Sequence, residues 1–176
     1  MAERQEQAAP DAVLTRIGQV VLLHHAGDRE EARRRFLDLW AEIGEHGDPL
    51  HRCTLAHYLA GTQDDPGDAL AWDLRALAAA EEAGGDRPRV GASPAVRALY
   101  PSLHLNLAAD YAGLGRRDAA RAHVRRARAT AGALPDDRYG QGVRAAIQEL
   151  ERRLDAGGGG GEYRGRGTWG PPRQRP

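Results

Sequence analysis

Residues 115–120 read Gly115-Arg116-Arg117-Asp118-Ala119-Ala120, and residues 27–32 read Gly27-Asp28-Arg29-Glu30-Glu31-Ala32, so both spell Gly-x-x-acid-x-Ala. The glycine lets the chain leave one helix, the acid falls in the first turn of the next, where the macrodipole favours it, and the alanine permits close helix approach. Outward from the first turn, Val13, Leu14, Ile17, Val20, Val21 and Leu22 recur at spacings of three and four, the pattern of an amphipathic helix, with Asp11 placed to cap it. Beyond Gly27 the pattern resumes with Ala32, Phe36, Leu39, Trp40 and Ile43 and stops at Gly44 or Gly47, before Asp48-Pro49. Two helices joined this tightly fold back on each other.

The same reading covers the rest of the chain. Leu55, Ala56 and Leu59, then Leu70, Leu74 and Leu77, give a second pair; Leu103, Leu105, Leu107, Ala108 and Tyr111, then Ala119 to Ala131, give a third. The expected hairpins span about 11–46, 49–84 and 94–132, and Val143, Ile147, Leu150 and Leu154 line one side of a capping helix over 139–155. Residues 84–101, with Pro88, Pro94 and Pro101, are expected to form an irregular insertion in which Ser93-Pro94 caps a short helical turn. Residues 1–10 read as a flexible N-terminus and 156–176, rich in Gly, Arg and Pro, as a disordered tail.

Composition narrows the options. The 176 residues fit one domain, and 32 alanines against 10 valines and isoleucines favour helix over strand, so the fold class is all-α. All 25 basic residues are arginine, which excludes a P-loop lysine, a Schiff-base lysine and a serine-lysine hydrolase. Net charge is zero, but residues 1–88 hold 9 Arg against 17 acids and residues 89–176 hold 16 Arg against 8, giving halves of −8 and +8 that could pair in a homo-oligomer. Cys53 is the only cysteine, the N-terminus is polar, and no apolar run approaches a membrane span of roughly 20 residues. The expectation is a cytoplasmic protein with no membrane partner.

With Asn106, Leu107, Ala108, Tyr111, Gly115, Asp118, Ala120 and Ala127 in the third unit, and Gly27, Ala32 and Phe36 in the first, the chain resembles the tetratricopeptide repeat family and is similar to its small bacterial members. Gln19 and Val20 depart from the family's leucine and glycine, and Leu70 takes its alanine place in the second unit. The resemblance covers about residues 11–155. It implies a right-handed superhelix of three antiparallel hairpins plus a capping helix, acting as a non-catalytic adaptor or scaffold without cofactor. It also implies a concave groove lined by Ile17, Val21, His24, Cys53, His57, Leu105, Asn106 and Ala109, in which a partner peptide or helix lies. The alternative use of these positions is contact between neighbouring hairpins, with the groove filled by residues 84–101. An unrelated array of helical hairpins would stack by the same physics.

Other constellations weigh less. His51, Cys53 and His57 sit two and six residues apart, which spreads them around a helix, so no metal site is expected. Gly91-Ala92-Ser93-Pro94-Ala95 lacks a preceding strand and the last glycine of a nucleophile elbow, and no catalytic set emerges. Arg117, Arg121, Arg125 and Arg128 fall on one helix face. That basic face suits an acidic protein surface or, as the alternative function, nucleic-acid phosphates, aided by Arg164, Arg166, Tyr163 and Trp169 in the tail.

Overall fold

Aspartates open most of the helices. In the computed structural model, which describes residues 11–84 and 94–157, the described residues form seven α-helices. These are α1 (Ala12–His25), α2 (Arg29–Ile43), α3 (Pro49–Thr62), α4 (Pro66–Glu82), α5 (Pro94–Gly113), α6 (Arg117–Thr130) and α7 (Arg138–Asp155). A single 3-10 turn, Ala131–Ala133, follows α6, and no strand occurs among the described residues. The side chain of Asp11 accepts from Val13 N and Leu14 N at 2.9 and 3.1 Å. Asp48 and Asp65 do the same for α3 and α4, each followed by a proline at the first helical position, where its missing N–H is no loss. Asp28 caps α2 and Asp137 caps α7. The expected flexible N-terminus (1–10), the Gly91–Ser93 part of the elbow-like motif and the tail from residue 158 onward lie outside the described residues.

The two matching turns adopt one geometry. Gly27 and Gly115 have φ of 97° and 73°, the left-handed region where a side chain is strained. Behind each glycine a backbone N–H reaches five residues back, Asp28 N to Leu23 O and Arg116 N to Tyr111 O, closing the end of the preceding helix. Ala32 and Ala120 are fully buried, so α2 and α6 approach their neighbours closely at the positions where the pattern puts its alanine.

The insertion expected at 84–101 is corrected in its second half: α5 starts at Pro94 and runs 20 residues through Pro101. Pro101 removes one intrahelical bond, the one that the Arg97 carbonyl would accept. Arg97 is exposed, so that carbonyl lies on the solvent side of the helix. Around the proline, Val96, Leu99, Tyr100 and Leu103 are buried in one apolar cluster, and this packing outweighs the lost bond.

The core is divided into three clusters, each built by one hairpin and the helix after it. Ile17, Phe36 and Leu59 come from α1, α2 and α3; Ala56, Leu77 and Leu103 from α3, α4 and α5; Leu105, Val124 and Ile147 from α5, α6 and α7. Thus α3 and α5 each serve two clusters, and the packed pairs run α1 on α2, α2 on α3 and so on, with α1 also on α3 and α7 on both α5 and α6. Between the first two clusters Trp40 meets Trp72 edge to face, with centroids 5.0 Å apart. The α6–α7 link is held by Arg144, which donates to the carbonyls of Leu134 and Pro135 at 3.1 and 3.4 Å. Gly140 lies so close beneath it that a Cβ would stand 1.9 Å from the Pro135 oxygen.

Candidate functional site

Of the eight residues expected to line a groove, six are buried: Ile17, Val21, Cys53, His57, Leu105 and Ala109. Ile17 and Val21 belong to the first cluster, Cys53 to the second, Leu105 and Ala109 to the third. Their apolar surface is used in contact between neighbouring hairpins, which leaves little for a partner. His24 and Asn106 are half-buried. Burial, then the nearby His25 and Arg29, lower the proton affinity of His24.

Two of the eight meet directly. Asn106 of α5 approaches His57 of α3, Nδ2 to Nδ1, at 3.3 Å. The same His57 Nδ1 lies 3.7 Å from Asp73 Oδ1 of α4. Asp73 has no exposed surface, and neither of its carboxylate oxygens makes a hydrogen bond with the described residues. Such a group is expensive to bury, and the His57 imidazole is the polar neighbour that faces it. Burial, and after it the charge of Asp73, push the Cys53 thiol up to about 12. A thiol held this firmly protonated is not the thiolate that nucleophilic chemistry uses. Asp73 did leave a sign in the sequence: it falls between Leu70 and Leu77 at spacings of three and four, on the apolar face of α4.

The His51, Cys53 and His57 set is divided. Cys53 and His57 face the interior, four residues apart, whereas His51 Nε2 is 2.6 Å from Asp11 Oδ2 at the start of α1. Asp11 is held below its ordinary carboxylate range, first by the hydrogen bond from His51. No group of three or more His, Cys, Asp or Glu among the described residues is arranged to hold a metal ion.

The basic face of α6 turns out to be largely a clamp. Arg117 and Arg121 both donate to the carbonyl of Leu154, at 2.6 and 2.9 Å, and Arg128 pairs with Glu151 at 3.1 Å. Two guanidinium groups therefore hold the C-terminal end of α7, where unpaired carbonyls and the negative end of the helix dipole gather. Arg125 and Arg126 are exposed and form no ion pair among the described residues. The same clamp exists at the other end of the molecule: Arg29 donates to the carbonyl of Gln63, the C-cap of α3, 34 residues ahead. Arg29 and Arg33 also pair with Asp64 at 2.9 and 3.0 Å. Arg29 and Arg117 occupy the same place in the two matching turns, each being the first residue of its helix. The pattern Gly-x-Arg was visible in the sequence; its target, a helix end one unit further on, was not.

Among the described residues no helix is long and apolar enough to cross a membrane. In comparison with known proteins, the chain matches no family model, no curated protein and no solved structure.

Proposed function

We propose that the chain is a tetratricopeptide-type helical-repeat module that binds another protein and carries out no catalysis of its own. One observation supports this most: the Gly-x-Arg-acid-x-Ala joint recurs at Gly27 and Gly115, and each arginine grips the end of the first helix of the next unit, over 34 and 37 residues. Those separations are close to the family period of about 34 residues. In this reading α7 stands where a fourth unit would begin. Its outward residues, including Gln141, Gln148, Glu149 and Arg152, are exposed and polar, as the capping element of a repeat array requires.

The contact surface in this proposal moves away from the buried groove residues. It centres on the exposed, unclamped arginines Arg125 and Arg126 of α6, and the partner offers an acidic protein surface. Replacing both (Arg125→Glu with Arg126→Glu) is expected to reduce cross-linked recovery of a protein partner about tenfold or more, with unchanged helical circular dichroism. Full recovery by the double variant contradicts it. So does tight binding of a short RNA or DNA by the purified chain that falls steeply between about 50 and 200 mM salt, the mark of phosphate contacts.

A further inference from the structure

His104 of α5 and His123 of α6 face each other inside the third hairpin, Nδ1 to Nδ1 at 3.1 Å. Only 2% and 9% of their surfaces are exposed. For this contact to be a hydrogen bond, one Nδ1 carries the proton that the other accepts. Burial assigns the tautomer. His104 Nε2 is enclosed with no hydrogen-bond partner, and a bare lone pair is less costly to leave there than an orphaned N–H, so His104 is the Nδ1–H donor and His123 the acceptor. The ring of Tyr100 borders His104, and that of Tyr111 stacks on His123 with centroids 5.4 Å apart.

An additional proton has no acceptable place in this arrangement. On His104 Nε2 it creates a buried cationic N–H without an acceptor; on His123 Nδ1 it sets two N–H donors against each other at 3.1 Å. We propose that the His104–His123 pair is an acid-operated latch, whose protonation parts α5 from α6 and releases α7 from the pair of helices on which it rests. The release follows from packing: Leu105, Val124, Val143 and Ile147 share one cluster, and the arginines that hold the end of α7 project from α6.

The groups around the pair agree with this direction. The rings of Tyr100 and Tyr111 of α5 border the pair, Asp110 of α5 is buried one residue from Tyr111, and Arg126 of α6 adds the positive charge that acts on both histidines. Burial, then His123, then Arg126 bring His104 down to about 4; burial and Arg126 also lower His123. A histidine whose folded value lies below its ordinary 6.5 takes up protons more readily when unfolded. The latch is therefore fully stabilising above about pH 6.5 and weakens as pH falls toward about 4.

Amide hydrogen exchange of the full chain near pH 7 and near pH 4.5, corrected for intrinsic rates, tests this. Protection over 99–154 is expected to fall at least about tenfold further than over 12–82 on acidification. His123→Gln, whose amide oxygen still accepts from His104 but takes no proton in this range, leaves only His104 Nε2 to titrate and is expected to reduce that excess loss. Equal loss in both halves, or the same excess loss in His123→Gln, overturns the proposal. If His123→Gln does not fold, NMR titration of the ring signals in the unaltered chain decides. Depressed titration of both rings, together with loss of α7 signals, supports the latch; titration of either ring near 6.5 with α7 signals unchanged overturns it.

Discussion

The two ends of the molecule are joined by one device and its middle by another. At α1–α2–α3 and α5–α6–α7 a left-handed glycine ends a helix, an alanine lets the next helix close in, and an arginine reaches forward to the end of the following unit. The α3–α4 turn has no left-handed glycine, and it receives arginines from α2, Arg29 and Arg33, rather than sending one forward. It is set by the Asp65–Pro66 cap, and the helices it joins meet α5 around the buried His57–Asp73–Asn106 cluster. Successive layers are thus registered either by arginine clamps on helix ends or by a polar group in the core.

The last layer is also the least tolerant of added volume, and this gives the largest expected effect. Gly140→Ala would place a methyl group 1.9 Å from the Pro135 carbonyl oxygen. Because backbone must move on one side or the other, a loss of about 3 kcal/mol in denaturant unfolding is expected. At the opposite end Gly18, inside α1, has nothing within 4 Å of a built Cβ.

Next comes the alanine of the repeated turn. Ala32→Leu and Ala120→Leu should each destabilise by roughly 1–3 kcal/mol, since both sites are fully buried at close crossings. Near-equal losses support the equivalence of the two joints, and a melting curve unchanged in either variant breaks it.

The arginine clamps rank below these because they are partly exposed. Arg29→Ala and Arg117→Ala each remove a charge-assisted bond to a helix-end carbonyl and should cost about 1 kcal/mol. Differential exchange sharpens the comparison: Arg29→Ala should loosen the end of α3, and Arg117→Ala the end of α7, with the other end unaffected.

Much of this architecture was legible in the sequence. Helix positions followed from apolar spacing and from aspartate or glycine at the ends, because caps and left-handed turns are local and residue-specific. The start of α5 at Pro94 was legible, but not its unbroken run through Pro101: proline is a strong local stop, and only the burial of Val96, Leu99 and Tyr100 against α3 and α4 overrides it. The candidate site was harder still. Each of His57 and Asn106 falls at a groove position by repeat spacing alone, but that they meet each other over Asp73 depends on how three helices cross. The arginines of α6 showed their spacing in the sequence, while their use as a clamp needed the position of Leu154. The facing histidines, 104 and 123, gave no local sign because they lie on different helices.

The smallest expected effect is a gain. Gly18→Ala should stabilise by about 0.5–1 kcal/mol, as helix propensity alone decides an open position. A loss there would mean that α1 is covered by something other than α2 and α3.

The helices form a linear series in which α3 and α5 each serve two cores, and among the described residues the first core and the last share no helix. Methyl and aromatic NOE spectroscopy on the full chain tests it most directly. Cross-peaks are expected to link Ile17 to Phe36 and Leu59, and Ile147 to Leu105 and Val124, as their shared clusters require. Cross-peaks from Ile17 or Phe36 to Val143 or Ile147, the signature of a bundle closed on itself, would contradict it.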